Sequence, residues 1–276
     1  MHDMTVTVDA QRQAPNHPLG SEAQATPPYH AEPTAAASPT PMQQAHEAAT
    51  VPVILRNVAD STSRTLDRGE PLYLQGEDAA STYVVEAGLV ALSLNARPDR
   101  ERIIGLAGPG DLLGALTAGQ LEYLESAHAL SHGVAIRTVP IDQHATVDGS
   151  GTPVLTAALS HAAGEHLMRL TRLLEDSETP VPARVARTLL RLGERFGQSL
   201  DAGDGATHGT HRVRLTLPLT HETIANMVGA ARETTTSTIE QLRRKGLVQG
   251  TRGRYVLDVV GLADFAHDAT AASLAS

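Results

Sequence analysis

Residues 219–258, "LTHETIANMVGAARETTTSTIEQLRRKGLVQGTRGRYVLD", constrain the fold of this chain more than any other stretch. Thr220 can cap a helix by accepting a backbone N–H, and Glu222 falls in the positive first turn. Ile224, Met227 and Val228 form one apolar face, and Gly229 breaks the helix as a turn between two crossing helices requires. A second helix resumes at Ala231, with Ile239 and Leu242 one turn apart. Arg243, Arg244 and Lys245 suit its negative end and Gly246 its cap. "LVQGTRGRYVLD" then reads as two short strands around a glycine-containing turn. Cap, turn, second helix and wing agree in order, so the stretch is predicted to be a winged helix-turn-helix.

Five consecutive hydroxyl residues, Thr234 to Thr238, follow Arg232 and Glu233 inside the second helix. Threonine lies a few tenths of a kcal/mol below alanine in helix propensity, so the run weakens the helix. A helix lying in the major groove of duplex DNA gives it a purpose. Arg232 can then bond a guanine edge in bidentate fashion, and Glu233 can accept from cytosine. Short side chains such as Thr234, Thr236 and Ser237 let the backbone approach, each with a hydroxyl for phosphate or base. By helical spacing Thr235 and Thr238 lean toward the packed side. The competing reading is a surface helix with no DNA role.

The net charge of −9 alone argues against such a partner, but its distribution does not. Residues 1–50 carry one Arg against five acids (−4), and residues 51–150 carry seven Arg against thirteen (−6). Residues 151–276 carry fourteen bases against thirteen acids (+1). A net positive balance is thus confined to the half that holds the motif. The chain has no cysteine, which excludes disulfides, thiolate zinc sites and cysteine-held iron–sulfur clusters. It shows no apolar run of membrane-spanning length and no signal peptide, so no membrane partner and a cytoplasmic location are expected.

Residues 1–50 are rich in Pro, Ala, Thr and Gln, and are expected to form a disordered tail. Residues 51–150 carry short β-like runs divided by glycines 69, 76, 88, 105, 108, 110 and 114 at expected turns, the texture of an all-β barrel or sandwich. Residues 153–177 read as one helix, followed by a second that begins after Pro182 and stops near Gly197. In the first, Leu155, Leu159, Ala163, His166, Leu170 and Leu174 recur at spacings of three and four, and the stripe suits the chain's own core or a second copy equally. Residues 198–210 are expected to loop, "HRVRLTLPL" to form a strand, and residues 263–276 to trail off as a C-terminal tail.

At these residues the chain resembles the cyclic-AMP receptor protein/fumarate-nitrate regulator (CRP/FNR) family of bacterial transcription factors. "LTHETIANMVGAARETTTSTIEQLRRKGLV" is similar to its helix-turn-helix pattern, and "LDRGEPLYLQGEDAASTYVVEAGLVAL" to the opening of its β-roll. The resemblance runs from about residue 54 to 262. It implies an α+β chain: an N-terminal cyclic-nucleotide-binding-like β-roll (51–150), a long dimerisation helix (151–178) and a C-terminal winged helix-turn-helix (179–262). It makes the Leu155–Leu174 stripe the expected seam of a homodimer. It also implies base reading by Arg232, Glu233 and Ser237, and phosphate contacts from Thr220, His221, Thr234, Arg252 and Arg254. RNA polymerase is the further partner implied, for an activator. Ser237 replaces the family's usual arginine, softening one guanine contact, and Ala231 replaces a capping serine, a change of about 1 kcal/mol.

The effector site departs further. Where cyclic-nucleotide-binding members carry a Gly-Glu-Leu for the ribose and an Arg-Ser/Thr-Ala for the phosphate, this chain has Gly114-Ala115-Leu116 and Glu125-Ser126-Ala127. A carboxylate there opposes an anionic ligand by several kcal/mol. Binding of DNA without cyclic AMP is therefore expected, as in family members of which several serve stress responses. The alternative is a sensor whose β-roll takes an unidentified small effector. His128 with His132 and His161 with His166 lack partners at ligand spacing, so no metal and no cofactor is expected. No nucleophile elbow, phosphate loop or paired-carboxylate signature points to an enzyme.

Overall fold

The computed structural model describes residues 61–97, 100–117, 119–141, 152–200, 211–251 and 253–274. The tail expected over 1–50 and Arg252 lie outside the described residues. All described elements belong to one compact unit, Pro39–Ser276.

Eight strands build the first half: β1 (Thr62–Leu66), β2 (Pro71–Tyr73), β3 (Ser81–Ala87), β4 (Val90–Arg97), β5 (Arg100–Ala107), β6 (Leu112–Gly114), β7 (Ser126–Ala129) and β8 (Val134–Pro140). They form two four-stranded sheets, ordered β1-β8-β3-β6 and β2-β7-β4-β5, with antiparallel pairing throughout. The two-residue period of a strand lets one strand serve two cores. Tyr83 and Val85 of β3 turn into the roll, while Val84 turns outward. In β4, Val90 and Leu92 point inward and Ala91 outward.

The β4–β5 ladder slips by one residue between Leu92 and Ser93, which face Gly105 and Ile103. The extra residue, Ile104, makes a bulge that puts Ile103 and Leu106 on one outward face. Gly105 therefore sits within β5 rather than at the turn expected for it, and a Cβ there would overlap the Arg169 side chain.

Helix α1 (Thr152–Ser177) lies along the outer face of the first sheet. Leu155 and Ala162 are buried there against Val84, Leu112 and Val139, with Leu159 and Ala163 half-buried beside them. The expected seam is therefore split. Leu155 and His166 are covered by their own chain, because the sheet's apolar outer face needs a lid. Leu174 is 71% exposed, and with it Leu167 (63%) and Met168 (46%), on the side turned away.

Helix α2 (Val181–Phe196) begins after Pro180 with Pro182 in its first turn, and ends at Gly197. It buries Val185, Ala186, Leu189 and Leu192, each large side chain worth about 1.5–3 kcal/mol. Beyond it come β9 (Gln198–Ser199), β10 (Arg212–Thr216), α3 (His221–Val228), α4 (Arg232–Arg244), β11 (Val248–Thr251), β12 (Arg254–Asp258) and α5 (Val259–Leu274). The third sheet runs β11-β12-β10-β9. The expected loop after Gly197 thus opens with a short strand, and the expected C-terminal tail is helical as far as Leu274. Leu262 and Ala266 explain the latter: both are buried in the core shared with α2.

Candidate nucleic-acid interface

Local chemistry sets the angle at which α3 and α4 meet. Thr220 caps α3: its Oγ1 accepts from the Thr223 N–H at 3.0 Å, while the Thr223 hydroxyl oxygen accepts from the Thr220 N–H at 3.4 Å. Gly229 ends the helix at φ +63°, a left-handed conformation that costs other residues roughly 1–2 kcal/mol. A Cβ there would overlap the Arg102 guanidinium, which β5 brings to the negative end of α3. Ala231 offers α4 no side-chain cap, as its identity implies.

Helix α4 divides its hydroxyl run into two sets. Thr235 and Thr238 are buried and donate back to the Ala231 and Thr234 carbonyls at 3.1 and 2.9 Å. Arg232, Glu233, Thr234 and Ser237 all face solvent. Thr236 is half-buried, and its hydroxyl lies 3.1 Å from His221 Nδ1, joining the start of α3 to the middle of α4. Of the hydroxyls expected at the DNA, Thr236 thus has an internal partner in the free chain.

Lower on the helix, Glu240 pairs with Arg243 at 2.5 Å, and Arg243 also donates to the Gly250 carbonyl of β11 at 2.9 Å. The wing is thus fastened to α4, a link that sequence spacing did not announce. Arg254 is exposed at the start of β12. Burial, then Arg243, lowers the His221 pKa, with Arg232 adding to the effect and Glu240 opposing it. The free histidine is neutral near pH 7.

The residues expected at the effector site are engaged within the β-roll itself. Gly114 holds φ +88°, where a Cβ would meet the Ser81 carbonyl at 2.7 Å and the Tyr83 ring at 2.8 Å. Its N–H donates to the Tyr73 oxygen at 3.1 Å, and its carbonyl accepts from Gln120 at 3.2 Å. Ala115 is buried, its N–H on the Ser81 carbonyl at 3.0 Å. Ser126 Oγ accepts from the Gln75 N–H at 3.0 Å.

Glu125, 3% exposed, accepts from the Tyr73 hydroxyl at 3.0 Å and stands 3.1 Å from His166 Nδ1 on α1. The latter contact is off the line a hydrogen bond needs, so it is electrostatic. Burial outweighs Glu125 and lowers the His166 pKa, so the histidine is neutral near pH 7. Tyr73 stacks on Tyr123 at 4.2 Å and on Tyr83 at 5.4 Å, and the Tyr83 and Tyr123 oxygens are 3.1 Å apart. Burial, then Glu125, raises the Tyr73 pKa far above its ordinary value. Sequence reasoning missed these tyrosines, because residues up to 50 positions apart carry no local signal of meeting. Elsewhere His128 pairs with Glu101 at 3.2 Å.

Residues 183–265 match the family model of the Crp-like helix-turn-helix domain, and residues 63–140 that of the cyclic nucleotide-binding domain. The chain is 31% identical over 170 residues to the regulatory protein CysR of Synechococcus elongatus, covering 60% of this chain and 70% of CysR. It is 29% identical over 195 residues to the CRP-like cAMP-activated global transcriptional regulator of Mycobacterium tuberculosis, covering 69% of this chain and 80% of that one. The solved structure of FixK2 from Bradyrhizobium japonicum shares the fold, with a TM-score of 0.59 at 21% identity over 74% of this chain and 96% of FixK2.

Proposed function

This chain belongs to the CRP/FNR family of DNA-binding transcription regulators and is not an enzyme, and from that premise we propose that it is a homodimer that reads a pseudo-palindromic site without cyclic AMP. The observation that carries the DNA reading is the division of α4. Its packed hydroxyls are spent on the helix backbone, while Arg232, Glu233, Thr234 and Ser237 stand free on the other side. In the major groove Arg232 takes a guanine and Glu233 a cytosine amino group, with Ser237 adding a short polar contact. Thr220, His221, Thr234, Arg252 and Arg254 hold the flanking phosphates.

Two copies present two such helices, and half-sites about one helical turn apart would match them. The exposed Leu167, Met168 and Leu174 on α1 support a seam with a second copy. We assign the activator's role, with RNA polymerase as partner, from the family alone; a cytoplasmic location follows from that role.

Independence from cyclic AMP rests on the pocket. Glu125 is a buried acid already paired internally with Tyr73, and Tyr83 and Tyr123 stack on that tyrosine, which supports a packed site over one open to a nucleotide. The mycobacterial relative is cAMP-activated by name; the buried carboxylate of Glu125, at the position where the family resemblance expects a phosphate-binding arginine, supports the opposite reading for this chain.

Arg232→Ala tests the helix. It should cost about 1–3 kcal/mol on a duplex selected from a random pool while sparing binding to unrelated DNA. Equal loss on both would count against base reading. Titration calorimetry with cyclic AMP should give no heat, and micromolar binding would end the claim of independence.

A further inference from the structure

Two buried side chains from different elements meet where α1 lies against the β-roll. One is His166 of α1, 8% exposed, and the other is Glu125 at the entry to β7. The first half of α1 is held by apolar packing as far as Ala163. Beyond it the helix meets the roll through polar groups: His166 stands at Glu125, and Arg169, one turn on, lies across Gly105 of β5. The exposed Leu167, Met168 and Leu174 belong to this same half, so whatever shifts His166 shifts them too.

Glu125 is not free to turn. Its Oε1 accepts from the Tyr73 hydroxyl at 3.0 Å, and the Tyr73 oxygen accepts from the Gly114 N–H at 3.1 Å. The Tyr73 ring is in turn stacked on Tyr123 and Tyr83. The second carboxylate oxygen, Oε2, is 3.1 Å from His166 Nδ1 but off the line of a hydrogen bond. A neutral ring tolerates that position. An imidazolium must donate from both nitrogens, and a buried charge without its hydrogen bonds is costly.

The neighbouring charges divide. Glu125 favours a proton on His166, and Arg169 opposes it. Glu165 of α1, Asp111 before β6 and Arg195 of α2 surround Arg169 in turn. Burial is the largest influence on His166, and it favours the neutral ring. The closed contact therefore keeps its full stability above the ordinary histidine value of about 6.5. It loses that stability as pH falls below, because arrangements that let the ring reach water take up the proton more readily.

We propose that His166 and Glu125 form a proton-operated joint, at which acid frees the second half of α1 from the roll and weakens the dimer seam. The signal read by this half of the chain is then a proton. The seam rests on the homodimer inferred above; the joint adds what controls it.

The test uses the full-length protein without DNA, between about pH 7.5 and 5.5, a range that brackets an ordinary histidine. Hydrogen exchange, corrected for the intrinsic rate at each pH, reads the joint, and sedimentation velocity reads the seam. In the wild type, amides from Glu165 to Arg172 should lose protection roughly three- to tenfold across that range, the span open to one histidine. The dimer should dissociate over the same interval. His166→Gln keeps a neutral polar side chain and should hold both protection and dimer constant. Glu125→Gln removes the acid that favours the charged ring, so its loss of protection at the acid end should be deeper than the wild type's.

Flat exchange in the wild type, or an equal fall in His166→Gln, overturns the joint. Should His166→Gln fail to fold, Glu125→Gln decides: a fall no deeper than the wild type's overturns it as well. The homodimer is judged separately. A wild type that is monomeric at the upper pH limit refutes the dimer, and exchange still decides whether acid opens the joint. A dimer that persists at the acid end while protection falls leaves the homodimer standing and overturns control of the seam.

Discussion

His221 stands where α3 begins, tied through Nδ1 to Thr236 and surrounded by Arg243, Glu240 and Arg232 of α4. Burial and the two arginines hold its pKa below the usual 6.5 or so, so the free protein carries it neutral near pH 7. The proposed DNA phosphate at its open nitrogen would favour the cation and raise that pKa in the complex. Binding would then take up a proton, and affinity is expected to rise as pH falls from about 8 toward 6. The gain levels off once the free histidine is itself protonated. Anisotropy titrations over that range should show the slope in the wild type and its loss in His221→Asn. A slope unchanged by that substitution would remove His221 from the phosphate contacts. The outward set on α4 was legible in the sequence because helical geometry fixes which residues share a side. The internal duty of Thr236 was not, since its partner sits on another helix.

At the scale of single elements, α1 has two apolar faces with different work. The stripe was visible in the sequence, but a period of 3.6 says only that a face is buried, not what buries it. Position along the helix separates the two. Leu155 and Ala162 are covered by Val84, Leu112 and Val139, whereas Leu167, Met168 and Leu174 are left exposed. Leu155→Ala should therefore lower stability by about 2–5 kcal/mol in urea unfolding, with little change in association. Leu167→Glu combined with Leu174→Glu should leave the circular dichroism intact and convert the proposed dimer to a monomer in sedimentation velocity. A double variant that still sediments as a dimer would move the seam elsewhere. The C-terminal helix shows the reverse difficulty. Its "LADFAH" pattern is too sparse to announce a helix, and only α2 gives Leu262 and Ala266 something to cover.

Across the whole molecule, the sensor-like half and the DNA-reading half share one hydrophobic core. Ala91, Ile103, Leu106 and Leu130 of the β-roll are buried in the same cluster as Leu189, Leu217, Ile224, Val228 and Ile239. The bulge that aligns Ile103 with Leu106 makes this possible, and Arg102 adds a cation at the end of α3. Two domains joined by a polar, loosely packed contact would open independently. A continuous core ties their openings together, so the orientation of α4 is held by the roll itself. Ile103→Ala removes packing from both halves at once, at a cost of about 2–5 kcal/mol. Hydrogen exchange reads this directly, because protection of the most stable amides reports global opening. Amides of Val84 in β3 and of Ile239 in α4 should exchange with the same free energy in the wild type, and both should fall by the same amount in Ile103→Ala. If Ile239 loses protection while Val84 keeps it, the two halves are separate folding units, and the roll does not fix the reading helix.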